Sequence, residues 1–146
     1  MATEKLRLRI ATPEKVKFDE NADMVIMRCI TGDMGILPGR EACSAILDYG
    51  VLRIIDGGAD ERRIAVFGGI AQVRDNVVTV LANEAQWPDE IDIAQVEETH
   101  ERSKRLLQES ADLLEIEREQ IQMRRTLVQF EVSSYPLLSG VDRDSV

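Results

Sequence analysis

The first part of the chain alternates apolar and polar residues with a period of two. In the run Leu6–Ile10, apolar residues alternate with basic ones, which is typical of a strand with one buried face. Turn signals at residues 56–60, at Gly68-Gly69 and at Asp75-Asn76 separate further apolar runs of strand length, and the last two predict tight hairpin connections. Short strands with this spacing predict an antiparallel β-sandwich or flattened barrel over residues 1–86. The further runs are Asp23–Thr31, Val51–Ile55, Ile64–Phe67, Ile70–Arg74 and Val77–Ala82.

The pattern changes at Trp87-Pro88-Asp89. Proline cannot continue a strand ladder but is tolerated at the start of a helix, and Asp89 is a suitable N-cap. From Asp89 to Tyr135 there is neither glycine nor proline, and the segment is rich in Glu, Gln, Arg and Leu. This composition predicts a helical domain over residues 87–135. Residues 136–146 lack periodicity and are predicted to form a flexible tail.

The apolar positions of the helical segment are sparse. Leu114, Ile121 and Val128 repeat at intervals of seven residues, which predicts a narrow seam for packing helix on helix. One continuous helix would be about 60–70 Å long, too long to bury this stripe on a small sandwich. The segment therefore either folds back near residues 108–111 or lies along a partner, and both forms are physically accessible.

Charge and composition exclude several classes of function. The net charge of −9 and the pI near 4.7 argue against nucleic acid and against electrostatic attachment to anionic lipids. The apolar runs are far shorter than the roughly 20 residues that span a bilayer, and the first residues lack the apolar segment of a secretory signal. We therefore expect neither a nucleic acid partner nor direct insertion into a membrane.

The residues available for catalysis and metal binding are few. Two cysteines, Cys29 and Cys43, fit neither a disulfide framework nor a four-ligand metal site, and both are expected to be free thiols. A single histidine, His100, argues against a zinc centre or a histidine-based triad. We predict no catalytic residues, no metal and no cofactor, and hence no enzyme activity of the chain itself.

The most distinctive segment is Thr31–Arg40, which holds three glycines and a proline. It predicts a rigid, sharply turned loop between strands. Two interpretations remain open, a cluster of structural turns or a contact surface presented by the sandwich.

Four motifs in a fixed order carry a resemblance to a known family. With the charged helical segment that begins near Ile91-Asp92, they are similar to the epsilon subunit of the F-type ATP synthase over about residues 4–130. The motifs are Gly32–Gly39, Tyr49–Ile54, Gly68–Val73 and Asn76–Ala82.

The resemblance implies a fold and a role. The fold is α+β: a β-sandwich of about ten strands followed by a C-terminal α-helical hairpin. The role is that of a non-catalytic rotor subunit on the cytoplasmic face of the bacterial membrane. It would link the gamma shaft to the ring of c subunits during proton-driven ATP synthesis. The helices would inhibit ATP hydrolysis by extending toward the catalytic beta (and alpha) subunits.

The resemblance also implies site residues. The positions that face the c ring in the family are Asp33 and Arg40 here, with Met34 beside them, and Arg40-Glu41-Ala42 stands where the family has His-Ala-Pro. A charged pair flanking an apolar tip suits short polar loops at a membrane surface. The alternative is that these are solvated turn charges.

Two further implications concern the helices. The aspartate of the family's ATP motif is present as Asp92, but Gln95 replaces its arginine and Val96 its alanine, so we predict weak or absent ATP binding. Arg118, Arg124 and Arg125 correspond to basic residues that meet the beta subunits. The pair at 124–125 has no acid four residues before it and so is the better candidate for an external partner. The alternative is an ordinary solvated helix face.

One hypothesis from another class remains. The chain could be a free-standing β-sandwich adaptor whose helical arm docks onto an unrelated partner.

Overall fold

The computed structural model describes residues 4–57 and 60–145, and only the backbone of residue 60 and of residues 134–145. The chain forms two compact units, one ending at Gln86 and the other beginning at Trp87. Among the described residues, no helix combines the length and the apolarity needed to cross a bilayer.

The first unit is an eight-stranded sheet in the order β2-β1-β7-β6-β5-β3-β4, with β8 added to β6. Neighbouring strands are antiparallel except β1 and β7, which are parallel. The fold class is the predicted one, but the described residues contain eight strands rather than about ten. The strands are β1 (Leu6–Ala11), β2 (Val16–Ala22), β3 (Met24–Cys29), β4 (Gly32–Ile36), β5 (Cys43–Asp56), β6 (Asp60–Arg74), β7 (Val77–Ala82) and β8 (Ala85–Gln86).

The number of strands is lower than predicted because the two longest strands, β5 and β6, are each continuous. Gly68-Gly69 is not a hairpin turn as predicted but a bend inside β6, where both glycines have positive φ. Leu47 pairs with Gly69 and Tyr49 with Phe67, so the ladder between β5 and β6 continues on both sides of the bend. A pair of glycines permits either geometry, and here the partner strand keeps the chain extended.

The sheet curls so that its end strand β2 comes to lie against β6. Arg62 of β6 lies over the ring of Phe18 in β2, 5.3 Å from its centroid, and pairs with Glu20 at 3.8 Å, although these strands are not neighbours in the sheet. Between the layers, the predicted alternation is confirmed. Leu6, Leu8 and Ile10 are fully buried, and so are the same-face residues of β3 and β7.

The second unit is the predicted helical hairpin. A single 3-10 turn at Pro88–Glu90 precedes α1 (Ile93–Glu109) and α2 (Leu113–Ser145). The predicted start at Asp89 is wrong by one turn, because Asp92 caps α1 by accepting hydrogen bonds from the backbone of Ala94 and Gln95. The chain folds back in the short connection between the helices, close to the predicted position.

The seam between the helices is not the predicted one. Leu114 and Ile121 are 69% and 50% exposed, and of that heptad only Val128 is buried. Ser103 and Thr126 lie buried between the helices instead. The helix α2 continues through residues 136–145, of which only the backbone is described, so the mobility of this predicted tail stays a prediction; Val146 lies outside the described residues.

Candidate interaction surfaces

Half of the segment predicted as a loop, Gly32–Ile36, is the edge strand β4. It pairs with β3 through a tight connection at Ile30-Thr31 and leaves the sheet at Leu37. The register places Arg28 opposite Asp33, and Arg28 Nε lies 3.5 Å from Asp33 Oδ1. Gly50 of β5 makes room for this arginine, since a Cβ there would lie 2.7 Å from its Cβ and Cδ. The glycine therefore lets the stem of Arg28 lie flat on the sheet and directs its guanidinium toward the edge.

The three residues predicted to face the c ring do not share one face. Asp33 is exposed and points away from the body, whereas the next residue, Met34, is half-buried on the opposite face of β4. Arg40 is exposed and donates to the backbone oxygen of Gly35 at 3.2 Å. The exposed apolar side chain between the two charges is Leu37, which is 56% exposed and precedes Pro38.

A hydrogen bond across the fold fixes the segment that carries Leu37 and Arg40. The backbone N–H of Gly39 donates to Asn76 Oδ1 at 2.7 Å. Asn76 and Asp75 form the two-residue turn between β6 and β7, and both have positive φ as a type I′ turn requires, which confirms the predicted hairpin. The loop after β4 is thus held by a rigid turn.

A second surface was not predicted from the sequence. Ile46, Ile70 and Leu81 lie side by side on three neighbouring strands and are all exposed. This apolar row borders an open cleft of about 670 Å³ that reaches Gly68-Gly69. A sequence signal for this row was available, because the outer face of the run Val77–Ala82 carries Val77 and Leu81, where a strand with one solvated face would carry polar residues.

A charged cluster lies on β5 and β6. Arg53 donates to Glu61 Oε1 through Nε at 3.1 Å, and the buried Arg63 pairs with the other carboxylate oxygen. Burial alone would raise the pKa of Glu61, but hydrogen bonds from Arg53 and Arg63 outweigh it and hold the pKa below its ordinary value. The cluster belongs to the body of the sandwich.

Both cysteines are free thiols, as predicted. Cys29 is buried, and burial, with smaller contributions from Asp33 and Cys43, raises the pKa of its thiol. The described residues contain no group of His, Cys, Asp and Glu side chains that could hold a metal ion.

The predicted helix residues lie as follows. Asp92 is engaged as the N-cap of α1, so its carboxylate is already hydrogen-bonded to the backbone. Arg118 is exposed and borders a cleft of about 330 Å³ between the helices, which Arg102 also lines. Arg124 is exposed and Arg125 half-buried, and each has an interaction within the described structure. The lack of an acid four residues earlier therefore did not leave this pair without partners.

Comparison with known proteins assigns the sandwich to a known domain family. The family model for the ATP synthase delta/epsilon chain, beta-sandwich domain, matches residues 5–88. The ATP synthase epsilon chain of Prochlorococcus marinus is 38% identical over 107 residues, which cover 73% of this chain and 78% of the relative. That of Caldicellulosiruptor saccharolyticus is 34% identical over 120 residues, or 82% and 87% of the two chains.

Solved structures share the fold. A chain in the mitochondrial ATP synthase of Euglena gracilis, solved as OSCP, F1 and c-ring, superimposes with a TM-score of 0.78 at 23% identity, covering 91% of this chain and 83% of its own. A chain of the Tetrahymena thermophila mitochondrial ATP synthase, from a structure of its central stalk and c-ring, superimposes with a TM-score of 0.56 at 14% identity. The match covers 91% of this chain and 99% of that one. The sequence matches extend past the sandwich into the helices, so the chain belongs to the family of ATP synthase epsilon chains.

Proposed function

We propose that this subunit is part of the central-stalk rotor, where its sandwich links the gamma shaft to the c ring and its helices inhibit ATP hydrolysis. The subunit itself catalyses no reaction and lies on the cytoplasmic face of the bacterial membrane as a peripheral part of a proton-driven complex. The observation that supports the proposal is that one sandwich exposes two separate patches with apolar side chains, one on β5 to β7 and one beside the edge strand β4. A linker needs two such surfaces, whereas a simple adaptor needs one.

The apolar row of Ile46, Ile70 and Leu81 is the proposed surface for the gamma subunit. Adjacent exposed apolar side chains on a sheet favour a stable protein contact over solvent. The test is co-purification of the chain with gamma at equal stoichiometry, comparing Ile70→Asp with Gln72→Asp. Both residues lie exposed on the same face of β6, so only the first variant should lose gamma. Equal loss from both variants would refute this surface.

A chain that never co-purifies with gamma would refute the linker proposal as a whole. It would favour the free-standing adaptor with a helical docking arm.

The second surface, formed by Asp33, Leu37 and Arg40, is proposed to face the c ring. It combines an exposed apolar side chain with one charge of each sign, and the bond from Gly39 to Asn76 holds it in place. Met34 supports this edge from its half-buried position. The variants Leu37→Asp and Asp33→Lys should each weaken binding of the gamma–epsilon pair to membranes containing the c ring by about tenfold.

The matched control for this surface is Glu20→Lys. It makes the same charge reversal on the exposed side of β2, at the other edge of the sheet. If Asp33→Lys and Leu37→Asp bind such membranes as tightly as this control does, the assignment of this surface to the c ring is refuted.

The helical unit is proposed to inhibit ATP hydrolysis, with Arg118, Arg124 and Arg125 meeting the beta subunits. Deletion of residues 89–146 should raise the ATPase rate of the assembled complex. The variant Arg124→Ala/Arg125→Ala should raise it partly, whereas Arg105→Ala on the exposed part of α1 should not. An unchanged rate after deletion would refute the inhibitory role but leave the linking role intact.

The proposal assigns Asp92 to helix capping rather than to a nucleotide. Its carboxylate oxygen Oδ1 already accepts two backbone hydrogen bonds, and no arginine stands at position 95 to pair with phosphate. Titration calorimetry of the chain with ATP should therefore detect little or no heat of binding. Tight binding that is lost in Asp92→Ala would contradict this assignment.

A further inference from the structure

The inner side of α2 carries an apolar row that packs toward α1. Ile116, Met123 and Phe130 recur at intervals of seven residues and are half-buried. The ring of Phe130 lies edge-on to His100 of α1, with 5.4 Å between the centroids, so this side of α2 faces the first helix. The contact between the helices therefore does not need the apolar side chains on the other side of α2.

That other side exposes large apolar side chains. Four leucine and isoleucine side chains there are between 50% and 76% exposed. One acidic and one basic residue, both exposed, stand among them. Contiguous apolar surface of this kind is unfavourable in water and marks a protein contact. We define the outer face of α2 by the six residues that share this side, which are Leu113, Leu114, Glu117, Ile121, Arg124 and Leu127.

The order of residues along the outer face is complementary to itself when it is reversed. At positions 113, 117, 121, 124 and 127 the face runs leucine, glutamate, isoleucine, arginine, leucine. In a parallel pair of identical helices each position meets itself, so Glu117 would face Glu117 and Arg124 would face Arg124. In an antiparallel pair the order reverses about a two-fold axis near Ile121, so each glutamate meets an arginine.

An axis near Ile121 also matches the apolar positions. Ile121 faces its own copy, and Leu113 of one chain stands level with Leu127 of the other, since these two positions are about equally far from the axis. Leu114 widens the apolar contact at each end. Arg124 also interacts within its own chain, but its guanidinium has several N–H donors and so can bind a second carboxylate.

We propose that the outer face of α2 is covered by α2 of a second copy of this chain, packed antiparallel in a two-fold symmetric dimer. The contact is about 20 Å long, measured along the helix from Leu113 to Leu127. It is short compared with the interfaces of obligate homodimers, so the expected Kd is about 10–100 µM. The isolated chain is thus monomeric when dilute and dimeric when concentrated.

The dimer goes beyond the proposed function, because it concerns the chain outside the complex. One consequence does rest on that function. Arg124 is among the residues proposed to meet the beta subunits, so a chain within the dimer cannot make that contact at the same time. The oligomeric state is measured on the isolated chain, so a failure of the dimer would leave the proposed function standing.

Sedimentation velocity of the full chain between about 5 and 500 µM measures the association. The native chain should shift from monomer to dimer across this range. Arg124→Glu places two carboxylates opposite each other on both sides of the axis and should raise the Kd at least about tenfold. Leu127→Gln removes an apolar contact at both ends and should raise it by about tenfold. Both positions are exposed, so circular dichroism should show unchanged helix content.

The decisive variant is the charge swap Glu117→Arg/Arg124→Glu. It keeps the net charge and restores a pair of opposite charges on both sides of the axis, so the Kd should return to within about threefold of the native value. The two positions are seven residues apart and are not neighbours at three or four residues on one helix, so the rescue cannot arise within a single chain.

The matched control is Lys104→Glu, which makes the same charge reversal on the exposed part of α1 and should change the Kd by less than about twofold. Equal weakening by this control would mean that net charge alone opposes association and would overturn the proposal. A chain that stays monomeric over the whole range, or a charge swap that binds as weakly as Arg124→Glu, would also overturn it and would assign the outer face to a different protein.

Discussion

The bend of β6 at Gly69 gives the sharpest test of how the sandwich is built. A Cβ on Gly69 would lie 2.8 Å from the Cα of Ala82 and closer still to the backbone oxygen of Leu81. These are backbone atoms of the paired strand β7, which cannot move aside without breaking the ladder. The residue also has a φ of +137°, a conformation that side chains disfavour. Gly69→Ala therefore combines a steric clash with backbone strain.

The expected loss of folding stability follows from a comparison with Gly32. Gly32 has a φ of +122°, but a Cβ there would meet nothing within 4 Å. Gly32→Ala should thus cost only the backbone strain, about 1–2 kcal/mol. Gly69→Ala adds forced displacement of packed backbone, and its total should reach about 3–5 kcal/mol. Both variants gain equally from the reduced entropy of the unfolded chain, so that effect cancels between them.

The assay is urea unfolding of the full chain, read from the hydrogen exchange of amides in β6 and β7. Failure of Gly69→Ala to fold while Gly32→Ala folds normally would agree with the larger cost, since single domains have only about 5–15 kcal/mol of stability. Equal losses in the two variants would refute the reasoning and would mean that β7 can yield at the bend.

Three further outcomes follow from single groups. The pKa of Glu61 is lowered in the folded chain, so its contribution to folding stability is fully present above the ordinary carboxyl pKa and is lost as the pH falls through the folded value. Urea titrations should therefore show that the stability difference between the native chain and Glu61→Gln shrinks in acid. Asn76→Gly keeps the positive φ but removes the acceptor for the Gly39 N–H, so urea unfolding should show a loss of about 1 kcal/mol. Burial and the raised pKa of Cys29 should make it react with a thiol reagent much more slowly than Cys43, so Cys43→Ala should abolish the fast colorimetric reaction.

Local patterns predicted the elements well where neighbours along the chain decide the outcome. The alternation in Leu6–Ile10 places three side chains in the core, and Asp75-Asn76 forms a type I′ turn. Local patterns gave wrong predictions where two local structures are equally compatible with the residues. Gly68-Gly69 suits a turn or a bend, and pairing with β5 and β7 selects the bend.

The surfaces were less predictable than the elements. The motif around Asp33 lies at a sheet edge, but the apolar residue exposed there is Leu37 rather than Met34. Which of two apolar residues is covered depends on strand register, and register depends on the partner strand. The heptad that contains Leu114 and Ile121 likewise predicted a seam that the closed hairpin does not use.

The sequence by itself determined where strands give way to helices, which strand faces are apolar, the acidic charge and the family, because each depends on composition and on spacing along the chain. Only the tertiary structure decided which apolar residues remain exposed. It placed Ile46, Ile70 and Leu81 in one row and put Ser103 and Thr126 between the helices. Exposure is a property of what packs against a residue, and those neighbours come from distant parts of the chain.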